Sequence, residues 1–82
     1  MNTYMIEMSE GKYAGTEMAD WMTIDEDLTL FEAREILEDL VEEEEFYNED
    51  WVREYKFARN AKDGDIIGGS MYRKAFKLTK ED

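Results

Sequence analysis

The chain has no cysteine and no histidine. Without cysteine it forms no disulfide and no thiolate metal site; without histidine it lacks the usual proton shuttle near neutral pH and the commonest metal ligand. Proline is absent as well, which removes one signature of disordered and low-complexity tails. No apolar run approaches the roughly 20 residues that span a bilayer, and the Met1-Asn2-Thr3 start has no basic segment. These absences point to a cytoplasmic protein without cofactor, metal or membrane anchor.

Basic residues are scarce where acidic ones are dense. Between Asp25 and Asp50 stand 13 acidic residues and the single Arg34, while the rest of the chain holds nine of each sign. The net charge of −12 therefore sits in one stretch. Net charge governs solubility and association more than fold, so a field this concentrated describes a partner. The 82 residues form one domain, 1–82, with no repeat or linker. A chain of this length buries only about 60 to 65% of its unfolded surface and has little room for a catalytic pocket.

The clearest element is a helix. Thr29-Leu30-Phe31-Glu32 is a capping box, and Asp25, Glu26 and Asp27 just upstream suit the positive end of a helix dipole. Ala33, Ile36, Leu37, Leu40 and Val41 recur at three-and-four spacing, while Glu32, Glu35, Glu38, Asp39, Glu42, Glu43 and Glu45 cover the other faces. The pattern predicts a helix over residues 30 to about 45.

Strand signals flank it. Tyr4, Ile6 and Met8 alternate in residues 3–8, followed by the turn signal Ser9-Glu10-Gly11-Lys12; a second strand is expected within residues 13–24. Trp51, Tyr55 and Phe57 alternate in residues 51–59, and Tyr72, Phe76 and Leu78 in residues 71–78. Residues 60–70, with Asp63-Gly64-Asp65 and Gly68-Gly69, read as a long hairpin connection. The expected fold is α+β in the order β-β-α-β-β, a small antiparallel sheet of three to four strands packed on one amphipathic acidic helix.

Glu42-Glu43-Glu44-Glu45, followed by Glu49 and Asp50, crowds the negative end of that helix's dipole, where each exposed carboxylate is unfavourable by roughly 0.3 to 1 kcal/mol. Stability alone would not select this arrangement. One reading is a solvated face that keeps a small protein soluble, partly neutralised by residues 51–80, which carry eight basic residues against three acidic. A second starts from spacing: carboxylates three or four residues apart on a helix lie roughly 5 to 6 Å from each other, comparable to successive phosphates of a nucleic-acid strand. Such a face competes for a groove lined with arginine and lysine and weakens as salt rises. It does not bind DNA or RNA directly.

The segment Glu42-Glu43-Glu44-Glu45-Phe46-Tyr47-Asn48-Glu49-Asp50 places carboxylates around an aromatic pair. With the short cysteine-free α+β chain, it resembles the small acidic phage-type anti-CRISPR proteins that act as DNA mimics, where an acidic-aromatic segment occupies the groove in which Cas9 recognises its PAM. The similarity covers about nine residues. It implies a stoichiometric inhibitor acting by occlusion in the host cytoplasm, whose partner is a basic nucleic-acid-binding protein such as a CRISPR effector or another host nuclease. Glu42, Glu43, Glu45, Glu49 and Asp50 would meet basic side chains, with Glu35, Glu38 and Asp39 extending the contact along the helix. Phe46 and Tyr47 serve in that reading as aromatic anchors, and in the plainer one they close the core against Trp51. Trp21 and Trp51 are read as core.

Other motifs carry less. Asp25-Glu26-Asp27 and Asp63-Gly64-Asp65 lack the spaced ligands and terminal glutamate of an EF-hand loop, and Gly64, Gly68 and Gly69 do not form a phosphate-binding loop. No pair of carboxylates is placed so as to separate their pKa values, so no catalytic residue is assigned and no enzymatic activity is expected. The six methionines read as core filler. The alternative to the inhibitor is a non-enzymatic interaction or assembly module, for example a self-associating phage accessory protein in which the basic second half of one copy pairs with the acidic helix of another.

Overall fold

A computed structural model of the chain describes residues 2–44 and 57–81. Their elements are strand β1 (Tyr4–Glu10), strand β2 (Met22–Leu28), helix α1 (Leu30–Glu43), strand β3 (Ile66–Gly69), a 3-10 turn (Ser70–Tyr72) and strand β4 (Lys74–Lys80). The four strands make one antiparallel sheet in the order β2-β1-β4-β3. Among the described residues one main helix accompanies it, which is the α+β class expected from sequence.

The longest register in the sheet is β1 against β4, from Tyr4 opposite Lys80 to Glu10 opposite Lys74. Alternation then sorts the side chains. Ile6, Phe76 and Leu78 lie buried on one face, joined by Ile67 of β3, with Tyr4 and Met8 packed against them. Helix α1 lays Ala33, Leu37 and Val41 onto this layer, and Leu30, Ile36 and Leu40 flank that stripe. Burying each of the larger aliphatic and aromatic side chains stabilises the fold by about 1.5 to 3 kcal/mol, so this single layer is the principal source of stability.

The capping box forms at the start of α1. Thr29 Oγ1 accepts the Glu32 N–H at 3.1 Å and Glu32 Oε1 accepts the Thr29 N–H at 2.9 Å. The helix stops at Glu43, with Glu44 as its C-cap and no basic residue in its last turn. That is two residues short of the end read from sequence.

Three strand expectations need correction. The second strand is not confined to residues 13–24: β2 runs Met22–Leu28 and includes Asp25, Glu26 and Asp27, which precede the helix as strand residues. Residues 11–18 instead fold as turns against the sheet face away from α1. Ala14 is fully buried, the buried Ser9 hydroxyl accepts the Gly15 N–H at 3.0 Å, and the Gly15 Cα faces Gly69 and Ala75 so closely that a Cβ there would sit 3.2 Å from both. Gly15 also has φ +75°, a conformation glycine takes without strain.

The strand read over residues 51–59 falls partly outside the described residues; of its remainder, Phe57, Ala58 and Arg59 form a helical turn. Ala58 is buried there, and the Ala61 N–H bonds back to the Ala58 carbonyl at 3.3 Å. A strand occupies part of the supposed connection instead, since β3 lies within residues 60–70. Asp63-Gly64-Asp65 is the turn that leads into it. Asp63 Oδ1 accepts the Lys80 N–H and Asp65 Oδ2 accepts the Lys62 N–H, both at 2.8 Å, so these carboxylates fix backbone. Strand β4 begins at Lys74, three residues later than expected, because Met71 and Tyr72 belong to the 3-10 turn and Arg73 closes it with φ +59°.

Edge strand β2 shifts register twice against β1, and Asp27 adopts φ +58°. Six of its seven residues are exposed. Bulges and three consecutive acids are the features that keep an edge from pairing with another chain. Among the described residues no helix is long and apolar enough to cross a membrane.

Candidate protein-binding face

Helix α1 presents two unlike surfaces because its sequence repeats at the helical period. Opposite the stripe Ala33, Leu37 and Val41 stand Phe31, Glu35, Asp39 and Glu42, all exposed, with Glu43 exposed beside them. Glu38 is on this outer side with its side chain 22% exposed, and Arg59 Nε lies 3.7 Å from its Oε1. Of the sequence-derived candidates, Glu35, Glu38, Asp39, Glu42 and Glu43 are thus brought together on one helix. Glu45, Phe46, Tyr47, Glu49 and Asp50 lie outside the described residues.

Among the described residues the carboxylates of Glu35, Asp39 and Glu43 make no ion pair or hydrogen bond. Asp25, Glu26 and Asp27 add three exposed carboxylates on β2, the strand that leads directly into the helix. The acidic surface is therefore wider than the candidate set read from sequence.

The basic strand behaves differently. The Lys74 ammonium lies 3.0 Å from Glu44 and 3.4 Å from Glu10, tying the C-terminal end of α1 to the sheet. Hydrogen bonding to Glu44 is the main cause that raises its pKa. Lys77 lies 4.0 Å from Glu7 and 4.5 Å from the centre of the Trp21 ring, a cation–π arrangement on the opposite sheet face. Trp21 accordingly partners a lysine and is only partly buried, where the sequence reading made it core.

Beside the acidic row, a helical turn meets the helix. Arg34 Nε donates to the Ala61 carbonyl at 2.9 Å and holds that turn against α1. Between them opens a depression of about 260 Å³ lined by Phe31, Arg34, Glu35, Glu38 and Arg59. Phe31 is 70% exposed. The sequence did carry this signal: Phe31 falls outside the apolar stripe of its own helix, although only its place in the capping box was read. Arg59 was missed because its segment read as strand.

The chain matches no protein-family model, no curated protein and no solved structure. Among the described residues no three acidic side chains are grouped to hold a metal ion. What the arrangement offers is a convex row of carboxylates on a rigid helix, which suits attraction of a basic surface.

Proposed function

We propose that the chain is a stoichiometric, non-enzymatic inhibitor of a nucleic-acid-binding protein, of the anti-CRISPR type, and that the outer face of α1 stands in for a phosphate backbone in the partner's basic groove. One observation carries this reading: Glu35, Asp39 and Glu43 have no counter-ion among the described residues, while Lys74 and Lys77 are engaged inside the fold. An intramolecular dipole with both ends open would favour pairing between copies; Lys74 and Lys77 are withdrawn from the basic end, while Arg59, Lys62 and Arg73 stay exposed and keep the assembly-module alternative as the second reading. In this account the chain is a single β-β-α-β-β domain whose amphipathic acidic helix is the working element. Glu38 and Glu42 belong to the same face, and Glu45, Phe46, Tyr47, Glu49 and Asp50, outside the described residues, are the further side chains proposed to meet the partner. The partner is a CRISPR effector or another host nuclease, met in the host cytoplasm.

The test uses the tagged full chain on beads in a bacterial lysate at low salt, with elution by competing duplex DNA. The wild type is expected to hold nucleic-acid-binding proteins that DNA displaces, and the folded variant combining Glu35→Gln, Asp39→Asn and Glu43→Gln is expected to lose them. Retention of the same proteins by the variant, or resistance to displacement by DNA, overturns the reading.

A further inference from the structure

Phe31 is an exposed aromatic in the first turn of a helix, set among carboxylates, and its position carries a chemical preference. Phe31, Glu35 and Glu38 stand at helical spacing of four and then three residues, so they share one side of α1 and together line the depression beside it. An aromatic face next to carboxylates suits a guanidinium better than an ammonium. The guanidinium is planar and weakly hydrated, stacks on a ring and offers paired donors to a carboxylate, whereas the lysine ammonium is a compact, strongly hydrated point charge.

The chain already places such a group there. Arg59 lines the same depression, with its Nε 3.7 Å from Glu38 Oε1. Its side chain is 72% exposed, and the contact is single and long, so the arginine is held loosely. Arg34, the other guanidinium of the lining, is fixed to the Ala61 carbonyl and forms a wall. The Glu35 carboxylate has no hydrogen bond or ion pair among the described residues.

We infer that the Phe31–Glu35–Glu38 depression is an arginine-reading subsite, in which a partner's guanidinium stacks on Phe31, pairs with Glu35 and takes the place on Glu38 that Arg59 holds in the unbound chain. The inference rests on the acidic-face reading above and specifies it further: the partner surface presents arginine, not lysine, at this point. Arg59 acts as an internal competitor that a partner arginine displaces.

Titration of the full chain with a hexa-arginine peptide and, separately, a hexalysine peptide, followed by NMR, tests it. The arginine peptide is expected to bind at least about five-fold more tightly and to shift the Phe31 ring protons and the amides of residues 31–38. Phe31→Ala is expected to bring the two affinities together, with Phe31→Tyr restoring the difference. Arg59→Ala adds the same unit of negative charge against either peptide, so a purely coulombic effect tightens both equally; the subsite predicts a larger gain for arginine. Equal binding of both peptides by the wild type, with an unmoved Phe31 ring, overturns the subsite and leaves the acidic face standing. Failure of both peptides to bind at low salt overturns the acidic-face reading and the subsite with it.

Discussion

Single carboxylates in this chain do different work according to what they face. Glu81 Oε1 accepts the Asp27 N–H at 2.7 Å and its Oε2 accepts the Thr3 hydroxyl at 2.9 Å, so one side chain ties the bulged edge strand to the start of β1. The backbone bond from Asp27 is the largest cause that lowers its pKa. A depressed carboxylate contributes stability that is present above its unfolded pKa and lost as pH falls through the lower folded value. Urea midpoints of the wild type are therefore expected to fall below about pH 4.5, and Glu81→Gln to reduce that acid dependence; an unchanged pH profile in the variant would show that Glu81 is not so linked. Lys74 has the opposite sign. Its raised pKa means that its clasp on Glu44 and Glu10 holds below the ordinary lysine pKa and fades as pH rises through the folded value. Lys74→Met is expected to lower stability by about 0.5 to 1 kcal/mol near pH 8, with the difference shrinking in strong alkali, as read from denaturant curves.

Among the elements, α1 was the most legible because two independent signals agree on it. Thr29 and Glu32 mark its start, and Ala33, Leu37 and Val41 mark its buried face. Thr29→Ala is expected to cost about 1 kcal/mol, a fall of about 4 to 8 °C in Tm for a domain of this size. Phe76→Ala in β4 is expected to cost about 3 to 5 kcal/mol, since its side chain is buried in the core cluster, while Phe31→Ala on the exposed helix face is expected to stay within about 0.5 kcal/mol. Comparable losses in calorimetry would contradict the division of α1 into a core face and an exposed face.

Strand β3 was hidden for a physical reason. Ile66-Ile67-Gly68-Gly69 carries one residue that reaches the core, Ile67, and two glycines at positive φ that local rules assign to a turn. Its place is set by pairing with β4 and by the close approach of Gly15 to Gly69, contacts distant in sequence. Strand β2 was expected but set too early for a related reason: as an exposed edge it has little apolar alternation, and Asp25-Glu26-Asp27 reads as a helix approach until the pairing with β1 is seen.

For the whole molecule, the sequence located the charge but not its balance. Counting residues suggested a basic second half opposed to an acidic helix. In the fold Lys74 and Lys77 meet Glu10, Glu44, Glu7 and Trp21, Arg59, Lys62 and Arg73 stay exposed, and unmatched carboxylates stand on α1 and β2. In the proposed function such a surface would attract a basic partner over roughly a Debye length, about 8 to 10 Å at ordinary ionic strength, and less so as salt rises.

The most direct test of that account is calorimetric titration of the full chain into the purified nucleic-acid-binding protein that DNA releases from it, with and without saturating duplex DNA. The account predicts one-to-one binding that weakens steeply with salt, is abolished by DNA, and drops at least tenfold when Glu35→Gln, Asp39→Asn and Glu43→Gln are combined. Equal binding to the free and the DNA-loaded partner would contradict it.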